Sequence, residues 1–433
     1  MVRDHNLEYL GLDASSREWA ESVSTPPNLA FPSTFPRVPL ALSDPSKPVP
    51  RTVLDAPGGF LWWYVDLRHA SGDGAVLIWS FGLPFLPAYR RTRGATPAGH
   101  PALNVVVYRS GTPVFYHLQR FGRADAEMSA DQTHFRFGAS EIRLVRRAAG
   151  GVGVHADLQI RESGSEAEAR VVFSVQGKAA VWHGGDAARD DGLGSAACAV
   201  SELSTSGQAH EVRASSVHAW TPLLASGSGV CTLETPTLNL RIPGEAYLDR
   251  NHSTKGLHAL GIKRWDWGRV SASGTTYAYY VFESDAQKGA KASHVFRFTA
   301  DGNVVHLPGW QATLTSARPS RYGVRIPRGV VLREGGAARL KLRRDAVVDQ
   351  SPFYVRSFLK DDSDKGWLGT SEVILPGRID IPWQTPLIKM RVQPHSGERP
   401  STFLPLFQGS RPDRLRRLAR GALNEVTRSF GPW

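Results

Sequence analysis

Cysteine is nearly missing from this chain. Its 433 residues include only Cys198 and Cys231. Two thiols make no disulfide framework, so a reducing cytoplasm is the simplest setting and both read as buried or incidental. No run of about 18 apolar residues occurs, which excludes a membrane-spanning helix. The opening MVRDHNLEYLGLD lacks the apolar centre and small-residue cleavage site of a signal peptide, and none is expected. Also absent are a HExxH or paired-cysteine zinc motif, a glycine-rich phosphate loop before a helix, and a G-x-S-x-G elbow. No metal and no nucleotide cofactor is therefore expected. The net charge of +12 comes without any helix-turn-helix, zinc or RNA-binding signature, so nucleic acid is not expected as a partner. A membrane surface suits that charge better.

What is present reads as β-structure. The chain is 41% hydrophobic and 21% charged, the proportions of a folded soluble protein, and its length suggests two domains, each with a core. Residues 1–50 form a proline-rich arm, in which Pro26, Pro27, Pro32, Pro36, Pro39, Pro45, Pro48 and Pro50 forbid a long helix or an interior strand. The arm is expected to wrap the body in extended form. Residues 51–240 carry strand-length runs such as FLWWYVDL, AVLIWSF, ALNVVVY and ARVVFSV, with a hairpin turn at Gly72-Asp73-Gly74. Residues 184–200 read as a loop, a candidate flap. Residues 241–395 repeat the texture in TTYAYYVF, HVFRFT, AARLKL and FYVRSFL. Many short strands with turn signals about every eight to twelve residues point to an all-β chain of sandwiches or barrels. The basic tail, 396–433, differs. In 411–430, Leu415, Leu418, Ala419, Ala422, Leu423, Val426 and Phe430 share one helical face and arginines the other. Such an amphipathic helix either docks on the body or lies in a membrane interface.

One stretch carries chemistry. YLDRN (Tyr247–Asn251) and RWDWGR (Arg264–Arg269), with HAW (His218–Trp220) upstream, gather one carboxyl, Asp249, with Tyr247, Trp220, Trp265 and Trp267. Aromatic walls solvate a carboxylate poorly and raise its pKa. The same walls stabilise a carbocation through their negative faces. An acid in an aromatic cage can protonate an alkene. The plainer reading makes these tryptophans core and Asp249 a turn residue. On a strand, Tyr247, Asp249 and Asn251 share one face, as do His218 and Trp220. Asp266 should face away from Trp265 and Trp267, paired with Arg264 or Arg269.

Four blocks resemble the carotenoid 1,2-hydratase (hydroxyneurosporene synthase) family. They are GGFLWWYVD with VLIWSFGLPFLPAY (58–66, 76–89), HPALNVVVY (100–108), HAW with GEAYLDRN and RWDWGR, and SPFYVRS with IPWQTPLIKMRV (351–357, 381–392). Together they cover residues 50 to 393 in the family's order. The resemblance implies two lipocalin-like β-barrels or sandwiches packed together. It also implies a cofactor-independent hydratase that adds water across the terminal 1,2 double bond of an acyclic carotenoid or related terpenoid. The family's His-x-Trp and Tyr-x-Asp pairs map onto His218 with Trp220 and Tyr247 with Asp249.

By that resemblance Asp249 is the general acid and Trp220 the ring facing the cation. Tyr247 orients the carboxyl or contacts the cation, and His218 holds the attacking water or accepts its proton. Strand alternation, apart from the resemblance, makes Asn251 a candidate to position water, and the aromatic surroundings make Trp265 and Trp267 candidates to contact substrate or cation. The implied partners are a hydrophobic polyene, water and a membrane surface, at the inner face of a cytoplasmic membrane. The sequence departs from the family pattern after Asn251, where His252, Ser253 and Thr254 stand in place of an aromatic and a glycine. That leaves open a cyclase, isomerase or Diels–Alder-type catalyst on the same fold, or a non-catalytic lipid- or pigment-binding protein.

Overall fold

The computed structural model describes residues 40–43, 45–85, 89–90, 92–147, 150–161, 168–182, 218–284, 291–361, 366–379, 381 and 392–393. All fall in one compact unit, Phe35–Trp433. The flap at 184–200, most of the proline-rich arm and the tail helix at 411–430 lie outside the described residues.

Apart from a five-residue helix, α1 (Arg51–Asp55), the helical residues Tyr89 and Arg90, and isolated 3-10 turns, the regular elements of the described residues are strands. In chain order these are β1 (Leu40–Leu42), β2 (Phe60–Arg68), β3 (Gly74–Phe81), β4 (Pro101–Arg109), β5 (Thr112–Arg120), β6 (Ala126–Met128), β7 (His134–Phe137) and β8 (Ser140–Arg147). There follow β9 (Gly151–Arg161), β10 (Glu168–Ala179), β11 (Val181–Trp182), β12 (His218–Thr235), β13 (Leu238–Ser253), β14 (Ile262–Ala272), β15 (Thr275–Ser284) and β16 (Lys291–Phe298). The rest are β17 (Asn303–His306), β18 (Trp310–Leu314), β19 (Ala317–Pro319), β20 (Arg325–Pro327), β21 (Gly329–Glu334), β22 (Ala337–Gln350), β23 (Tyr354–Asp361), β24 (Leu368–Ile374) and β25 (Val392–Gln393).

Two large sheets result. The first runs β25-β5-β4-β3-β2-β13-β12-β10-β9-β8-β7-β6, with β1 added beside β12. The second runs β11-β17-β16-β15-β14-β24-β23-β22-β21-β18. Nearest-neighbour antiparallel meanders dominate both, the up-and-down pattern of lipocalin-like folds. The all-β class expected from the sequence holds. Hairpins close where the chain can take left-handed backbone: Ser273 and Gly274, at φ 49° and 79°, turn β14 into β15.

The unbroken apolar run of β2 has a structural cause, since all nine of its residues are buried. Leu61, Trp63, Val65 and Leu67 enter a core on one face of the first sheet. Phe60, Trp62 and Tyr64 enter a second core, where Trp265, Trp267, Tyr280 and Phe358 of the second sheet meet them. A strand buried on both faces loses its polar alternation. The inter-sheet face of β2 therefore places the site.

Candidate active site

Three strands of the first sheet bring the polar residues together. In the antiparallel pairing of β12 with β13, Trp220 lies opposite Asn251 and Pro222 opposite Asp249, with a register slip between Pro222 and Leu224. Proline has no N–H for the ladder, and a bulge is where a central strand tolerates it. On the other flank β13 pairs with β2, setting Tyr64 opposite Asp249 and Trp62 opposite Asn251. The period of two then turns Tyr247, Asp249 and Asn251 to the inter-sheet face.

Asp249 is 3% exposed and is held by three donors. Tyr247 Oη donates to Oδ2 at 2.8 Å, Trp220 Nε1 to the same oxygen at 3.0 Å, and Asn251 Nδ2 to Oδ1 at 2.7 Å. Trp220 Nε1 also lies 3.1 Å from Tyr247 Oη. Burial pushes the Asp249 carboxyl up to about 8 against the hydrogen bonds from Tyr247, Trp220 and Asn251, and nearby Glu372 adds to the rise. At neutral pH it holds its proton. Burial also drives the Tyr247 phenol well above its usual range, helped by Asp249.

His218 Nε2 lies 2.9 Å from Asn251 Oδ1. Because Asn251 gives its NH2 to Asp249, the amide oxygen must accept, which assigns the imidazole proton to Nε2. Burial lowers His218 to about 4, opposed by that hydrogen bond, so it is neutral at pH 7. Among the described residues its Nδ1 has no partner. Its ring sits edge-on to Trp265 at 4.5 Å.

A cavity of about 360 Å³ opens beside Asp249 and Asn251, walled by Trp62, Tyr64, Trp265, Trp267 and Tyr280. Asp249, Asn251, Trp265 and Trp267, all singled out from sequence, thus line one space. Tyr247, Trp220 and His218 do not line it; they stand behind Asp249 and Asn251. The Trp220 ring packs against Tyr280, Phe296 and Phe298 at 5.1, 5.0 and 6.1 Å. Asp266 faces away and is held by Arg264, Nη2 to Oδ1 at 2.7 Å.

Sequence reasoning missed Tyr64, Tyr280, Arg356 and Glu372, which also border the cavity. The doubly apolar run of β2 was a signal for the first, and SPFYVRS contained Arg356. Nothing local marked Glu372. Among the described residues no three His, Cys, Asp or Glu side chains converge as metal ligands. No described helix is long and apolar enough to cross a membrane.

A family model described as carotenoid hydratase CrtC matches residues 195–400, a span that contains His218, Trp220, Tyr247, Asp249 and Asn251. An acyclic carotenoid 1,2-hydratase from Thiocapsa roseopersicina is 28% identical over 73% of this chain and 68% of its own length. Another from Rubrivivax gelatinosus is 26% identical over 78% of this chain and 75% of its own. Among solved structures, an AttH protein from Nitrosomonas europaea is similar at a TM-score of 0.47 and 13% identity, covering 73% of this chain and 92% of that one. Kievitone hydratase from Nectria haematococca is similar at 0.37 and 10%, covering 76% and 91%. The resemblance to the carotenoid 1,2-hydratase family read from the sequence holds.

Proposed function

We propose that this protein is a hydro-lyase that adds water to a terminal trisubstituted double bond of an acyclic polyene of carotenoid or related terpenoid type. One observation carries the reading: a carboxyl kept neutral by burial faces a cavity walled by aromatic rings. In this reaction the Asp249 O–H bond breaks as a C–H bond forms at the less substituted alkene carbon, leaving a tertiary cation. Trp265, Trp267 and Tyr280 present ring faces to that cation, a contact worth about 2 kcal/mol in a desolvated site. A water molecule then forms the C–O bond, and its surplus proton returns to the Asp249 carboxylate, restoring the acid. Asn251, which borders the cavity while donating to Asp249, is placed to orient that water.

Behind the reacting groups, Tyr247 and Trp220 fix the rotamer of the carboxyl, and neutral His218 fixes the Asn251 amide. The similarity to two acyclic carotenoid 1,2-hydratases supports the choice of substrate class. Incubation with lycopene or neurosporene followed by mass spectrometry tests the reading. A product heavier by one water is expected. An isomer of unchanged mass would replace hydration with cyclisation or isomerisation.

A further inference from the structure

The wall of the cavity on the second-sheet side is more polar than a pure hydrocarbon requires. Arg356 on β23 is buried yet borders the cavity, and Glu372 on the neighbouring β24 borders it too. Arg356 Nε donates to Glu372 Oε1 at 3.0 Å, and Nη1 donates to Tyr108 Oη at 2.8 Å. Tyr354 Oη donates to the same Glu372 Oε1 at 2.7 Å. All the bonds of this pair therefore use one carboxyl oxygen and two guanidinium nitrogens. Among the described residues, Arg356 Nη2 and Glu372 Oε2 make no hydrogen bond.

An ion pair kept only for stability carries a desolvation cost, and spare hydrogen-bonding capacity beside it adds to that cost. A spare donor next to a spare acceptor matches one chemical group. A hydroxyl oxygen accepts from Nη2 while its hydrogen goes to Oε2, and both bonds are charge-assisted. The pair also stands at a defined place relative to the acid. The Arg356 guanidinium lies 5.8 Å from the Tyr64 ring centre, and that ring lies 6.3 Å from Tyr247 and 5.6 Å from Trp267. Tyr64, opposite Asp249 in the β2–β13 pairing, thus stands beside both the Arg356 guanidinium and the Trp267 wall.

We propose that Arg356 and Glu372 bind a hydroxyl group of the substrate, so that an acyclic terpenoid alcohol is preferred to the bare hydrocarbon of the same length. The inference rests on the hydration reading only in seating the reacting alkene at Asp249. The hydroxyl and the alkene then share one cavity, and the hydroxyl sets which double bond meets the acid.

The test compares an acyclic isoprenoid alcohol with the hydrocarbon of the same chain length, by turnover and by quenching of tryptophan fluorescence. The wild-type protein should bind the alcohol about tenfold or more tightly, the worth of one charge-assisted hydrogen bond. The preference should appear chiefly in KM. In Arg356→Met/Glu372→Leu, which removes the pair without leaving a lone buried charge, that ratio should fall to about one. Glu372→Gln, the milder change, should lower it part of the way, and melting curves identify the folded variants. A wild-type ratio near one, or a full preference surviving in the folded double variant, overturns the assignment. Equal binding of both compounds, with both turnovers lost in the double variant, would place the reacting water at the pair and also overturn it. Binding is read without turnover, so failure to hydrate either compound would count against the reaction proposed for Asp249 while the binding ratio still decides the hydroxyl.

Discussion

At Asp249, burial and hydrogen bonding oppose each other. Three donors favour the carboxylate, and desolvation outweighs them, leaving the group at about 8. For an acid this sets the alkaline limit of activity: kcat/KM should be level up to about pH 8 and fall tenfold per unit above it. The same balance bears on stability. The folded-state value lies above the 3.8 of a free aspartate, so between those values the folded protein holds a proton that the unfolded chain has released. Stability from this residue is therefore complete below about pH 4 and is lost as pH rises through about 8. Asp249→Asn should abolish turnover by several powers of ten and raise the melting temperature by a few degrees at pH 8, since the amide never ionises. Its Nδ2 can be accommodated if the Asn251 amide turns over and His218 moves its proton to Nδ1. A folded Asn variant that keeps wild-type activity would end the acid assignment.

Trp220 and Trp265 should separate by pH profile. Trp220→Phe removes a donor that lowers the Asp249 pKa, so its alkaline limb should move above the wild-type position. Trp265→Leu should leave the limb in place and cost roughly thirtyfold in rate through the lost ring face. Strand alternation made Asp249 and Asn251 legible in the sequence. It could not show that Trp220 offers its N–H and keeps its ring out of the cavity, because that depends on Phe296 and Phe298 from the other sheet.

At the scale of elements, the strand carrying His218 and Trp220 is held by the arm. β10 pairs with β12 only from Leu224 onward, and past the bulge β1 takes over in parallel, Leu40 opposite His218 and Leu42 opposite Trp220. Ser43 continues the contact, its N–H to Trp220 O at 3.0 Å and its hydroxyl against that of Thr221. Leu40 is 1% exposed and shares a core with Trp220 and Trp265. The prolines of residues 1–50 predicted an extended segment. They gave no sign of its partner, because a parallel pairing across so long a stretch of sequence leaves no local pattern. Leu40→Ala should cost about 2–3 kcal/mol by the usual cavity penalty. It should also lower activity more than an equally destabilising change far from the site, such as Leu158→Ala on β9, because β1 backs the strand that positions Asp249. Chemical denaturation beside rates on the folded fraction checks this, and equal losses in both variants would reduce β1 to ordinary packing.

For the molecule as a whole, the site exists only while the two sheets stay in register, and buried arginines span the gap between them. Arg269 of β14 pairs with Asp66 of β2, Nε to Oδ1 at 2.8 Å, both side chains almost fully buried. Arg68 of β2 lies 3.8 Å over the Phe358 ring of β23. Arg356 reaches Tyr108 of β4. Part of the arginine content that reads in sequence as surface charge therefore lies inside, in pairs that no charge count could place: Asp66 and Arg269 stand in separate motifs, and neither run names the other. Asp66 also accepts from Tyr64 Oη at 3.1 Å, tying the ion pair to the wall of the cavity. Removing one partner of a buried pair leaves a desolvated charge, so Asp66→Ala should cost about 3–5 kcal/mol. Replacing both, as Asp66→Leu with Arg269→Met, should restore most of that stability because no lone charge remains. It should not restore full activity, since Tyr64 would still lack its acceptor beside Asp249. Denaturation midpoints with kcat/KM for the single and double variants decide the matter. A double variant that regains both would make the pair a fastener between sheets with no bearing on the site.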